Sequence, residues 1–322
     1  MEDVKCDFCG GGDYVRIAKQ TDLIHRTTTE EFWVVKCIKC NLHYTNPRPT
    51  REEIGDYYPA KYAFHEEKPR IPLWISTCLK YTANSFISYI FGLLKASRLV
   101  INYVGPNIPD PVISSYKSGL KGKFLDIGCG TGVSAHFWGA RGAIRAYQKI
   151  TSVAGIEVSQ RARNALDAYG IQSWRSICDV PKDEQFAVIR MNWSLEHTHS
   201  PDRYFSFIAA HLKPGGKAII AVPNFSGLIY RIEPSCLEVP IHLYHFTPPD
   251  MERYGVKHQL KLSSLKTFSY PGMFNEAAKL GLIPKELMLA STVLEARRLQ
   301  RILTKVDEAG LGNDMIAIYE HA

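Results

Sequence analysis

The sequence predicts an α/β protein: a mostly parallel, Rossmann-like sheet whose last strand runs antiparallel, preceded by a small cysteine-bound module and a helical insertion. Three observations carry this. From Lys123 onward, apolar runs of strand length alternate with helical patterns, which marks a parallel sheet covered on both faces. At the head of that region, Phe124 to Gly132 reads F-L-D-I-G-C-G-T-G, a buried strand that ends in an acid and then in glycines at every second residue. Ahead of it stand two C-x-x-C pairs. The 322 residues, 45% hydrophobic and 22% charged, suffice for one full core plus a small module. A net charge of +7 permits weak attraction to nucleic acid, membranes or nucleotide-sugars and does not choose among them. The start M-E-D-V-K-C-D-F-C has no apolar h-region, so no signal peptide and a cytoplasmic location are expected.

Residues 1–50 form the first unit. Cys6-Asp-Phe-Cys9-Gly10 and Cys37-Ile-Lys-Cys40-Asn41 are two knuckles, each followed by a residue that tolerates the left-handed conformation needed to wrap thiolates around an ion. Four thiolates predict a structural zinc with no open position for catalysis. Phe32 to Val35 is a strand leading into the second knuckle. Neither pair opens a helix after a strand, which disfavours a redox role. Residues 51–118 are linker and insertion. Pro47 and Pro49 force extended chain, and Thr50 with Glu53 makes a capping box. Between Trp74 and Val104 apolar residues recur at helical spacing, and the uncharged run from Tyr81 to Leu94 is too short to span a bilayer. A packed helical insertion is one reading. A peripheral membrane contact through 74–104 is the other, because aromatics and lysines frame the stripe.

Residues 119–322 form the main domain. Strands are expected at Phe124–Ile127, Val153–Val158, Phe186–Met191 and Lys217–Val222. Helices are expected from Gly132, over Arg161–Tyr169 and over Pro201–Leu212, the last ended by Lys213-Pro-Gly-Gly216. Leu260–Phe268 and Met315–Tyr319 read as a closing pair, with a Leu- and Arg-rich helix between Lys285 and Ala309. Arg297, Arg298, Arg301 and Lys305 on that helix read as a solvated face.

The chemistry starts at the strand ends. Gly128, Gly130 and Gly132 let a ligand approach the backbone, and Asp126 suits an ammonium group, as in the amino-acid end of S-adenosylmethionine, where it would repel a pyrophosphate. Glu157, closing the second strand 31 residues later, can accept from both hydroxyls of a ribose. The nine residues from Phe124 resemble motif I of class I methyltransferases. The N-terminal C-x-x-C-G and C-x-x-C-x-L-x-Y-x-N-P-R-P pattern with its following tyrosines resembles the zinc-containing methyltransferases of bacterial sugar and polysaccharide biosynthesis, including sugar C-methyltransferases.

That resemblance implies a class I methyltransferase sheet, S-adenosyl-L-methionine and a small-molecule acceptor, a sugar or nucleotide-sugar. It implies Tyr58 and Tyr62 near the active-site mouth, Asp179 near the adenine with Cys178 and Asp183 competing, and Asn192 among the cofactor contacts. Asn192-Trp-Ser-Leu-Glu196-His197 is close to the family's x-x-L-E-H. Quinone-type O-methyltransferases carry E-x-L-E-H there, and Trp193 replaces its first acid. Pro240-Ile-His242-Leu-Tyr-His245-Phe-Thr247 resembles the family's P-R-H-L-x-H-F-[ST] segment over the acceptor, with Ile241 in place of arginine. His242 is the expected base, His197 and His245 are the other candidates, and Glu196 holds local geometry. The N-terminal zinc module also resembles rRNA guanine-N1 enzymes. Those show a histidine where Cys40 stands, and the module lacks the basic and aromatic interleaving of an RNA grip, so nucleic acid is disfavoured as partner.

Overall fold

The computed structural model describes residues 1–60, 62, 108–132, 143–232, 238–269, 271–279 and 293–321. The stretch 74–104, the helix expected to open at Gly132 and the first turns expected after Lys285 lie outside the described residues.

The N-terminal unit is β1 (Tyr14–Thr21), β2 (Glu31–Cys37) and β3 (His43–Thr45). β1 escapes the sequence reading because it is an edge strand, largely exposed along its length, and so shows no clean alternation of buried and polar residues. Next comes α1 (Pro111–Lys117), capped by Asp110, whose carboxylate accepts from the Val112 and Ile113 amides.

The main domain then runs β4 (Phe124–Ile127), α2 (Ile144–Tyr147), β5 (Val153–Ile156), α3 (Gln160–Asp167), β6 (Gln172–Trp174), β7 (Phe186–Asn192) and α4 (Pro201–His211). It continues with β8 (Leu212–Pro223), α5 (Leu228–Ile232), β9 (Tyr244–His245), α6 (Pro248–Lys257), β10 (Leu260–Phe268), α7 (Pro271–Lys279), α8 (Val293–Glu308) and β11 (Asp314–His321). Ser159 and Ser200 cap α3 and α4 with their hydroxyls, which sets where each helix begins. β5 ends at Ile156, two residues short of the expected Val158. Pairing of β7 with β8 begins at Leu212, ahead of the expected start, and becomes regular from Lys217, past the irregularity that Lys213–Gly216 introduces. Arg298, Arg301 and Lys305 are exposed on α8 and Arg297 is half-exposed there.

Seven strands make the main sheet, in the order β10-β11-β8-β7-β4-β5-β6. β8, β7, β4, β5 and β6 are mutually parallel, and β11 is inserted antiparallel between β8 and β10. β4 and β7 are buried at every position, as expected for strands covered on both faces. Leu125, Ile127, Ile189 and Met191 share one core cluster with Cys6, Val35, Leu42 and Tyr44, so the N-terminal unit packs directly on the main domain.

A second, antiparallel sheet has the order β1-β2-β3-β9. Its fourth strand comes from the main domain: His43 pairs with His245 and Tyr44 with Tyr244. The chain leaving the second cysteine knuckle is thereby bonded to the segment that carries His242 and His245. Among the described residues no helix is long and apolar enough to cross a membrane.

Candidate active site

A cavity of about 870 Å³ opens at the carboxyl ends of β4, β5 and β7, where the strand order of a doubly wound sheet reverses. Asp126, Gly128, Gly130, Glu157 and Asn192 line it, together with His197 and Tyr58. The glycines have separate reasons. Gly128 has φ +78°, and a Cβ there would stand 2.6 Å from the Ser194 Cβ, so the turn and the segment after β7 touch backbone to side chain. Gly130, at φ +54°, donates its amide to Glu157 Oε2 at 2.8 Å. Gly132 is packed against Leu166 and Ile144, and it does not line the cavity among the described residues.

Glu157 is held from both sides. Its second oxygen accepts from the Ser159 amide at 2.9 Å, which fixes the carboxylate's orientation. Asn192 Oδ1 is buried and has no hydrogen-bond partner among the described residues, an acceptor awaiting a donor on the cavity wall.

Asp126, expected to face an ammonium group, is also paired within the protein. Arg190, directly opposite on β7, donates to both its oxygens, Nε to Oδ1 at 2.8 Å and Nη2 to Oδ2 at 2.6 Å. Both side chains are buried, and Arg190 Nη1 reaches the Tyr147 hydroxyl, which in turn donates to Asp110. The carboxylate keeps lone pairs for a second donor, but its charge is already matched. Asp179 is exposed and its Oδ2 closes a capping box with Ser176. Ser176 lines the cavity and Asp179 does not, among the described residues.

The same cavity carries acid–base groups. His197 and Tyr58 line the cavity, with the Tyr58 hydroxyl 3.2 Å from His197 Nδ1. The same nitrogen lies 3.1 Å from the Ile241 carbonyl, which can only accept, so Nδ1 carries a proton. His242 packs edge-on behind His197, ring centres 4.6 Å apart, and does not line the cavity among the described residues. Its burial favours the neutral ring against the pull of Glu238. His245 is deeper, against the Thr45 hydroxyl at 3.1 Å, and burial holds it well below the usual histidine range. Burial pushes the Glu196 carboxyl well above the usual range, and neither of its oxygens has a hydrogen-bond partner among the described residues. Burial therefore favours the protonated form of Glu196. Burial likewise raises the Tyr58 phenol, which stays a donor.

Sequence reasoning missed Glu238, His25, Arg190 and Trp193. Trp193 lines the cavity at φ +52°, a strained conformation for a bulky residue, and its indole donates to Asp314 at 2.9 Å. Arg190 was discoverable, since an arginine inside the apolar run F-A-V-I-R-M-N requires a buried acid as partner.

Cys6, Cys9, Cys37 and Cys40 converge away from the cavity, their four sulfurs within 4.8 Å of one another and the closest pairs at 3.4 and 3.5 Å. A tetrahedron with zinc–sulfur bonds of about 2.3 Å has edges of roughly 3.8 Å, so the set fits one zinc ion. Gly10 and Asn41 take the left-handed conformation after each knuckle, as expected.

An acid, a glycine turn and a second acid around one cavity at the switch point of a parallel sheet define a nucleoside-cofactor α/β domain. A family model described as a methyltransferase domain matches residues 99–265, just over half the chain, and the protein belongs to that family. S-adenosylmethionine is the family's methyl donor, and Glu157, Gly130 and the unpartnered Asn192 oxygen fit its ribose and ammonium groups. The chain is similar to the ubiquinone biosynthesis O-methyltransferase of Coxiella burnetii, 32% identical over 124 residues, 35% of this chain and 50% of that protein. The Idiomarina loihiensis protein of the same name is 29% identical over 122 residues, 35% of this chain and 47% of its own length. The chain thus spans about half the length of the curated relatives it matches. Among solved structures, geranyl diphosphate C-methyltransferase from Streptomyces coelicolor aligns at 14% identity and TM-score 0.42, covering 63% of this chain and 73% of that one.

Proposed function

We propose that the protein transfers a methyl group from S-adenosylmethionine to a hydroxylated small molecule, a sugar or a related biosynthetic intermediate. One observation carries the reading: a single cavity is lined both by Glu157, Gly130 and Asn192 and by Tyr58 and His197. S-adenosylmethionine, when bound, supplies an electrophilic methyl carbon on a sulfonium. Glu157 accepts from the ribose, and the Asn192 oxygen with the Arg190-paired Asp126 receives the ammonium group.

The acceptor's proton goes to His197. Its ring stands on the cavity wall, whereas His242, the base expected from sequence, lies behind it and serves as its partner. The Tyr58 phenol, kept protonated, orients the acceptor by donating to it. Trp193 and Tyr204 add aromatic wall to the same cavity, which suits a ring with alternating apolar and hydroxylated faces. The cysteine set holds zinc and braces the acceptor side through β3 and β9.

A quinone-type acceptor is the second reading, favoured by the curated relatives. A methyl-transfer screen with labelled cofactor across nucleotide-sugars, quinone precursors and bulk RNA decides. Label in a nucleotide-sugar supports the first reading. Label only in quinone precursors or RNA overturns it.

A further inference from the structure

We propose that His25, from the N-terminal unit, is a positioning residue of the acid–base centre: through Glu238 it holds His242, and through Tyr62 and Tyr58 it holds His197. The proposal rests on the reading of this wall as the proton-accepting side of the site.

Six side chains close a circuit. His25 Nε2 lies 3.2 Å from Glu238 Oε2, and the same oxygen lies 3.7 Å from His242 Nε2. His242 packs edge-on against His197, whose Nδ1 meets the Tyr58 hydroxyl. Tyr58 packs edge-on against Tyr62 with ring centres 5.0 Å apart, and Tyr62 against His25 at 6.0 Å. Three members come from the chain before the main domain and three from the main domain. Neither part completes the circuit alone.

His25 is itself fixed. Buried Asp22 accepts from the His25 amide at 2.8 Å and, with its other oxygen, from the amide and hydroxyl of Thr27. The Thr27 hydroxyl also reaches the Tyr57 carbonyl, one residue before Tyr58. The turn that presents His25 is thus tied to the segment that presents the tyrosines.

Charge follows this geometry. Burial opposes ionisation of Glu238, but the charges of His242, His197 and His25 and the hydrogen bond from His25 outweigh it and hold the carboxyl at about 2. The bond to Glu238 raises His25. Burial lowers His242, Glu238 opposes that, and the charge on His25 adds to the lowering. His25 and His242 therefore share one carboxylate oxygen, and a charge on His25 disfavours a charge on His242. The titratable groups facing His242 are Glu238 on its own segment, Glu196 and His197 from the turn after β7, His245 on β9, and His25 from the N-terminal unit, with Asp22 behind His25.

The test is a histidine titration by nitrogen-15 NMR on the full chain, with the His242 signal assigned by His242→Gln. In His25→Gln, which keeps a hydrogen bond and loses the charge, the His242 midpoint moves upward by roughly one pH unit. His25→Lys, which restores a cation beside Glu238, returns it toward the wild-type value. Affinity for S-adenosylhomocysteine stays unchanged in both. A His242 midpoint that does not move in His25→Gln, or that moves equally in His25→Lys, reduces His25 to a staple and overturns the proposal. Should His25→Gln not fold, Glu238→Gln serves: both the His25 and His242 midpoints fall if Glu238 couples them, and independence of either refutes the coupling. The midpoints are read without methyl transfer, so failure on every acceptor refutes the functional reading and leaves this test standing.

Discussion

Arg190 and Asp126 face each other on neighbouring strands, joined by two hydrogen bonds and exposed by only 2% and 3%. Arg190→Met keeps the stem volume and removes the charge, leaving a carboxylate in the core with no counterion. Breaking a buried pair from one side costs about 3–5 kcal/mol, because the survivor cannot be rehydrated. The lost contact to Tyr147 adds little, since that hydroxyl still donates to Asp110 at 2.6 Å. Asp126→Asn alone strands the guanidinium and destabilises by a similar route. The double variant leaves no unmatched charge, so it should recover stability relative to the sum, with a coupling energy of roughly 2–3 kcal/mol. Urea denaturation of the four proteins followed by circular dichroism measures it. A loss under about 1 kcal/mol in Arg190→Met, or strict additivity in the double variant, would refute the argument that the pair is a closed electrostatic unit.

Gly128→Ala places a methyl 2.6 Å from the Ser194 Cβ at φ +78°, so it should lose about 1–3 kcal/mol and weaken S-adenosylmethionine binding, as thermal shift and calorimetry would report. Unchanged values would remove the close-approach explanation for this glycine. Cys37→Ser should abolish stoichiometric zinc in elemental analysis while S-adenosylmethionine affinity stays within about threefold, since the cofactor wall belongs to the other sheet; full zinc retention would contradict the four-thiolate site. Asp314, raised by burial to about 7, binds its proton more tightly folded than unfolded. Its contribution is present in full below the ordinary aspartate range near 4 and is lost as pH rises through 7, so Asp314→Asn should flatten the fall in stability over that window. A slope identical to wild type would count against a protonated Asp314. His197→Ala should lower kcat by roughly 10²–10⁴ with cofactor affinity kept, once an acceptor is found, and an effect under tenfold with a larger one in His242→Ala would return the base role to His242.

Much of the cofactor wall was legible because it is local. The glycine spacing, Asp126, Glu157 and the cysteine knuckles each sit within a few residues of the turn or strand end that gives them meaning. What was hidden depends on register and on long-range pairing. Arg190 faces Asp126 only because β7 and β4 align at those positions. His25 belongs to no motif, and Glu238 becomes a partner of His242 only once the intervening residues coil back, the His242 amide bonding the Glu238 carbonyl at 2.8 Å. The partner of Asp126 was hidden because a strand-end carboxylate shows its sequence neighbours and not its neighbour across the sheet. The histidines separate for the same reason: motif position ranks His242 first, while His197 lines the cavity and His242 does not among the described residues.

The two sheets divide the chemistry. The seven-stranded sheet carries Asp126, Glu157 and Asn192 on parallel strands whose order fixes the crevice. The four-stranded sheet takes β9 from the main domain, and the Thr45 hydroxyl, two residues past the knuckle's Tyr-preceding histidine, donates to the His242 carbonyl at 2.9 Å and meets His245. Any displacement of the cysteine knuckle is therefore delivered to the acid–base wall through β3. The four cysteines, set apart from the cavity, are nonetheless joined to it in sequence and structure: the second knuckle leads into β3, and the hydrogen bonds from β3 to β9 and from Thr45 to the His242 carbonyl reach the segment on which His242 is mounted.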